Sequence, residues 1–201
     1  MSARAVYVLR HAEPEDRTIF YGQLDVGLSE RGRAQVRAQA EFFAQRPLTR
    51  IVSSDLMRCT IGAEAIAARH GMPVATDAAL REMHLGVLEG VPMADALDRM
   101  PQLAGRSYLD MLDYAFPGGG ESVRTLAARC LPAVTSVLGN AQGDVLFYVH
   151  NTVARLVLAA AVGLGPEGYV RFEQRYAAIN RLRVDGEPWS RSAVIYANRA
   201  P

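Results

Sequence analysis

The residues best able to do chemistry in this chain stand at the ends of apolar runs. Val6-Tyr7-Val8-Leu9 leads directly into Arg10 and His11, and the run from Val145 to Val149 leads into His150 and Asn151. Short runs rich in β-branched and aromatic residues read as buried strands, so each delivers an imidazole to a strand end. Such a ring can serve as nucleophile, base or metal ligand, and the neighbours choose among these roles. Arg10 repels a cation at His11, and His11, His84 and His150 lack the close spacing of a zinc helix or finger. There is no Gly-x-Ser-x-Gly elbow for serine hydrolysis, and Gly118-Gly119-Gly120 has no lysine to complete a phosphate loop. Phosphoryl transfer fits better. It wants a nucleophile, which imidazole supplies, and fixed cations such as Arg10, Arg58 and a second histidine around the equatorial oxygens. A carboxyl group must handle the protons.

Composition narrows the partners. The 201 residues are half apolar, enough for one domain with a sizeable core. The 22 basic residues are all arginine and balance 21 acidic ones, which argues against nucleic acid or an anionic membrane as the main partner. Without lysine, Schiff bases and pyridoxal-phosphate attachment are excluded, and any anion must be gripped by the planar fork of arginine. Cys59 and Cys130 form neither a disulfide framework nor a CxxC pair and read as small core residues, so a cytoplasmic location is expected. No apolar run approaches the ~18 residues of a membrane span, and the leading stretch before Arg10 is too short for a signal peptide.

The elements that must position the histidines alternate along the chain. Ser29 is placed to cap a helix over residues 30–46 that Pro47 ends, followed by a strand at 50–54 and a helix at 56–70 closed by Gly71. An extended piece from 72 runs towards 80–90, and 92–117 carries short helical patterns. After the glycines come a helix over 123–138, the strand 144–149, a helix over 153–164, and closing strands at 177–184 and 192–198. This alternation predicts an α/β three-layer sandwich with a mainly parallel sheet, in which ligands bind beyond the carboxyl ends of the strands. If the strands ending at His11 and His150 are central and parallel, both rings share one rim.

Five ordered blocks, "LRHAEPED", "IVSSDLMRCTIGAEAIA", "LREMHLGVLEG", "PGGGESVRTLAAR" and "VLFYVHNTVARLVLAAAVGL", together with "FYGQLDVGLSERGRAQ" after the first, resemble the histidine phosphatase superfamily. The similar branch holds cofactor-dependent phosphoglycerate mutases and α-ribazole phosphatases. The resemblance implies His11 as nucleophile, Arg10 and Arg58 gripping phosphate, Glu82 as general acid and then base, and His150 bonding the phosphoryl oxygens. It gives Arg17 the place where many relatives carry a phosphate-facing asparagine, while His70 and His84 take no catalytic part; Asn151, which stands where relatives carry glycine, offers its amide as a substrate contact. It further implies a metal-independent phosphomonoesterase acting on a small phosphorylated metabolite through phosphohistidine, releasing inorganic phosphate, with no cofactor. A homodimer is common among such relatives. A phosphoglycerate-type mutase and a non-catalytic phosphate-binding member are the alternatives; the missing Asn-Lys pair after "LGVLEG" and the absence of lysine weigh against the mutase.

The chain departs from the family pattern at Ala12 and Asn151, which stand where glycines are usual. Ala12 fits only a backbone that avoids positive φ, whereas Asn151 tolerates a left-handed conformation. The segment 92–117 is expected to cover the pocket as a lid-like insertion. Its Met, Leu, Tyr and Phe content suits either an apolar leaving group or packing on the sheet.

Overall fold

A computed structural model describes residues 3–201. Six strands form one sheet in the order β3-β2-β4-β1-β5-β6. They are β1 (Arg4–Arg10), β2 (Leu48–Ser53), β3 (Val74–Thr76), β4 (Asp144–Val149), β5 (Ile179–Val184) and β6 (Ser192–Arg199). The pairs β1–β4, β4–β2 and β2–β3 are parallel, while β5 and β6 are antiparallel additions at one side. Helices α1 (Glu30–Phe43), α2 (Met57–His70), α4 (Val123–Asn140) and α5 (Asn151–Ala161) cover the faces, and a one-turn helix, α3 (Ala96–Arg99), lies in the 92–117 segment.

Alternation along the strands decides which face each helix takes. Val6, Val8, Val145, Phe147 and Val149 point into one core with α4 and α5. Tyr7, Leu9, Leu146 and Tyr148 point into the other, against α1 and α2. Cys130 belongs to the first core and Cys59 to the second, both as free thiols. Helix α2 approaches β4 closely at Gly62, where a Cβ would strike the Tyr148 ring.

The caps follow the sequence: the Ser29 hydroxyl accepts from Gly32 N–H, and Gly71 ends α2 in the left-handed region at φ 61°. Two expectations need revision. The extended piece from residue 72 stops at Thr76, because the Asp77 carboxylate accepts from Ala79 N–H and turns the chain into a 3₁₀ turn. Asn151 needs no left-handed tolerance, because it is the first residue of α5. Ala12 is fully buried and is not among the non-glycine residues with positive φ. The 92–117 segment consists of α3 and 3₁₀ turns, and its Ala96, Met100 and Phe116 make a small core with Leu88 and Val91. No helix among the described residues is long and apolar enough to cross a membrane.

Candidate active site

Register brings the histidines together. In the parallel β1–β4 pair Arg10 lies opposite Val149, so the next residue of each strand leaves the sheet at the same edge. His11 N–H donates to the Val149 carbonyl, and the two imidazole centroids lie 5.2 Å apart. Strand β2 ends level with them: Ser54 N–H donates to the Tyr148 carbonyl, and the Ser54 hydroxyl lies 2.9 Å from His150 Nε2. The carboxyl ends of three neighbouring strands thus present Ser54, His150 and His11 side by side.

His11 Nδ1 lies 2.8 Å from the Ala12 carbonyl oxygen. A carbonyl only accepts, so Nδ1 carries the ring proton and neutral His11 keeps a lone pair on Nε2. Burial, then the charges of Arg58 and Arg10, hold His11 well below the usual histidine range. His150, fully buried, is pushed down by burial first, then by Arg58, His11 and Arg10. Both rings are therefore neutral near pH 7. Desolvation, more than the neighbouring arginines, keeps them so.

The arginines are held by carbonyl groups, which leaves their charge uncancelled. Arg58, in the first turn of α2 and 1% exposed, donates to the carbonyls of Leu24 (2.6 Å) and Gly22 (2.7 Å). Arg10 donates to the Gln174 carbonyl at 2.5 Å, and its guanidinium carbon sits 4.0 Å from the centre of the Tyr176 ring. The Nε atoms of Arg10 and Arg58 and the Tyr21 hydroxyl are buried with no hydrogen-bond partner. All three residues line one cavity of about 200 Å³, together with His11, Glu82 and Asn151. Buried polar groups are ordinarily satisfied, so orphan donors at one cavity call for an acceptor-rich anion.

Glu82 is set against the start of α5: its Oε2 accepts from Thr152 N–H at 3.1 Å and its Oε1 from Met83 N–H at 2.9 Å. The backbone around it is clamped from α4. Arg129 forks onto Glu121 (2.8 and 2.6 Å) and donates as well to the carbonyls of Ala79, Arg81 and Glu82. Arg81 binds Asp55 with two further bonds (2.7 and 2.5 Å), tying the same segment to the loop after β2.

Not every candidate lines the cavity: His150 is fully buried beside it, its ring 5.2 Å from that of His11, and is not among the lining residues. Arg17, with its side chain 59% exposed, pairs with Glu13 at 3.4 Å and is not among the lining residues. His84 lies 3.0 Å from the Gly119 carbonyl and His70 3.1 Å from that of Phe43, both away from the site. Sequence reasoning missed Ser54, Tyr21, Tyr176 and the clamp of Arg129 and Glu121. The serine closing the β2 strand run carried a usable signal; the tyrosines and the clamp carried none. Among the described residues no group of three or more His, Cys, Asp or Glu is arranged to hold a metal ion.

Comparison with known proteins agrees with this geometry. A glucosyl-3-phosphoglycerate phosphatase of Mycolicibacterium vanbaalenii is 37% identical over 174 residues, covering 82% of this chain and 76% of that protein. Phosphoglycerate mutase-like protein 4 of Arabidopsis thaliana is 31% identical over 192 residues, covering 92% and 82%. The structure of a mycobacterial glucosyl-3-phosphoglycerate phosphatase in complex with inorganic phosphate superposes with a TM-score of 0.82 at 31% identity, covering 98% of each chain. The model of the histidine phosphatase superfamily (branch 1) matches residues 6–195. On that match, and on the arrangement of strand-end histidines it accompanies, the chain belongs to the histidine phosphatase superfamily.

Proposed function

We propose that this chain is a phosphomonoesterase that hydrolyses a small phosphorylated metabolite through a phosphohistidine at His11. Neutral His11 attacks phosphorus with Nε2, forming the P–N bond as the bond to the leaving oxygen breaks. Glu82, in its acid form, gives that oxygen its proton, and the alcohol departs. Water then attacks phosphorus as Glu82 takes its proton; the P–N bond breaks and inorganic phosphate leaves. Arg10, Arg58 and His150 hold the equatorial oxygens, whose charge grows in the transition state. Asn151, at the cavity wall, adds a donor; Arg17 is left out of this assignment because its exposed side chain pairs with Glu13.

The observation that carries the reading is the pair of guanidinium groups of Arg10 and Arg58, each with an unpartnered Nε, that line one cavity with neutral His11, whose ring lies 5.2 Å from that of the buried His150. A phosphoryl group has acceptor oxygens enough for these donors. The names of the relatives support a phosphatase, and some name a probable phosphoglycerate mutase instead. The test is direct. Protein incubated with p-nitrophenyl phosphate and excess chelator should release nitrophenol in many turnovers, and rapid alkaline quenching should trap an acid-labile phosphoryl group on His11. A His11→Ala protein that hydrolyses at the wild-type rate overturns the reading. Isomerisation of a phosphoglycerate without release of inorganic phosphate would favour the mutase.

A further inference from the structure

A second cavity, of about 240 Å³, opens beside the first under the 92–117 segment and has walls including Leu88, Leu103, Met111, Phe116 and Val123. It shares Phe20, Met83, Leu85, Asn151 and Thr152 with the His11 cavity, so the two adjoin across those residues. We propose that this chamber receives the carbon skeleton of the leaving group, and that the substrate class is a phosphomonoester with a bulky apolar body of about bicyclic size. The proposal rests on the hydrolase reading above and adds the direction in which substrate lies.

In-line displacement supplies that direction. The leaving oxygen must depart opposite His11 and towards the acid that protonates it, Glu82. The residues beside that carboxyl are Met83, the next in sequence, and Thr152, whose N–H binds Oε2. Both belong to the walls the two cavities share. A carbon chain attached to the leaving oxygen therefore enters the apolar chamber. An engineered apolar cavity of ~150 Å³ admits benzene, so one of about 240 Å³ suits a two-ring system. A third, larger cavity lies on the Arg10 side, with Arg31, Arg155 and Arg175 against Glu173; Arg155 borders the second cavity too, as the one charged residue in its mainly apolar wall. The third cavity would accept an anionic substituent, but it adjoins the guanidinium that grips the non-leaving oxygens, not the acid.

The test compares phosphate esters of primary alcohols, so that leaving-group basicity is matched: 2-(2-naphthyl)ethyl phosphate, ethyl phosphate and 3-phosphoglycerate. The naphthylethyl ester should exceed ethyl phosphate in kcat/KM by about 10²-fold, as transfer of a two-ring body from water predicts. Met111→Trp and, independently, Leu103→Trp fill the chamber and should each pull that ratio towards one. A preference for 3-phosphoglycerate over the naphthylethyl ester overturns the proposal in favour of the arginine-rich cavity. So does an equal rate on naphthylethyl and ethyl esters, or a ratio that survives both tryptophans. No turnover of these esters or of p-nitrophenyl phosphate would overturn the hydrolase reading itself, a result distinct from a failure of the chamber alone.

Discussion

Replacing Arg129 by methionine tests whether Glu82 acts from a position built for it. The methionine keeps most of the packing of the aliphatic stem and removes the guanidinium. What is lost is the two-bond fork to Glu121 and the bonds to the carbonyls of Ala79, Arg81 and Glu82. Removing one partner of a fully buried ion pair costs about 3–5 kcal/mol. Here the side chains are 23% and 19% exposed, so water reaches the abandoned carboxylate and about 2–3 kcal/mol is expected. For a chain of this size that lowers Tm by about 4–12 °C. The loss should also depend on pH. Burial raises the Glu121 pKa, but bonds from Arg129 and His84 N–H outweigh it and hold the group below its ordinary 4.5. A depressed carboxylate pKa contributes stability in full above the unfolded value, and loses it as pH falls through the folded one. The gap between wild type and Arg129→Met should therefore be constant near pH 7 and narrow below about pH 4.5. In catalysis, freeing the Glu82 backbone displaces the acid while phosphate stays gripped by Arg10 and Arg58. A displacement of ~1 Å costs about 10²-fold, so kcat should fall by that order with KM little changed. Thermal melts from pH 3.5 to 7.5 and steady-state kinetics on one protein preparation measure both. A variant with Tm within 1 °C and kcat within twofold of wild type would refute the clamp.

Glu82→Gln keeps the shape but cannot transfer the proton, so kcat on an alkyl phosphate should drop by about 10²–10⁴-fold. The loss should be smaller on p-nitrophenyl phosphate, whose leaving group needs little protonation; equal losses on both would refute the assignment. His11 and His150 are held well below 6.5, chiefly by burial, so the unfolded chain takes up protons that the folded one refuses. Stability in phosphate-free buffer should thus fall as pH drops below about 6.5, by up to ~1.4 kcal/mol per pH unit for each ring. His150→Gln should remove one ring's share of that slope in urea titrations at pH 5, 6 and 7, and an unchanged slope counts against buried neutral imidazoles. Gly32→Ala would drive a Cβ onto the Glu13 carbonyl oxygen, a backbone atom that cannot step aside cheaply. Overpacking of this kind costs about 1–3 kcal/mol, read as a lower urea midpoint, and an unaltered midpoint would show that the loop yields freely.

How much of this could be read from the chain depends on the range of the forces involved. Strand β4 is legible almost to the residue because Val145–Val149 is an unbroken apolar run set between Asp144 and the polar pair His150-Asn151. Its pairing with β1 is a matter of topology, yet two runs ending in histidine under a parallel-sheet rule are enough to bring the rings to one rim. The supports are less legible, since each is a hydrogen bond across a long sequence gap with no periodicity to announce it. Arg129 binds Glu82 from 47 residues away, and Ser54 meets His150 from 96. Arg17 illustrates the opposite case. A resemblance assigns it a role by its place in a motif, but in this loop its side chain turns outward to Glu13.

The grip on Arg10 illustrates why local reading stops there. It depends on the Gln174 carbonyl, and the Gln174 side chain pairs with Asn180 through two bonds of 2.8 and 3.0 Å. Asn180 in turn donates to the Val8 carbonyl, inside the strand that delivers Arg10, and accepts from Asn198 N–H. Strand β5 runs antiparallel beside β1, so this buried amide can reach both the strand and the loop that closes over its end. In the sequence, Asn180 is one polar residue interrupting an otherwise apolar alternation, a feature that by propensity alone only weakens a strand. In the fold it ties Arg10 to the antiparallel half of the sheet. A buried amide with all its partners satisfied rigidifies the elements it joins, which is what a phosphate-gripping guanidinium needs from its neighbours.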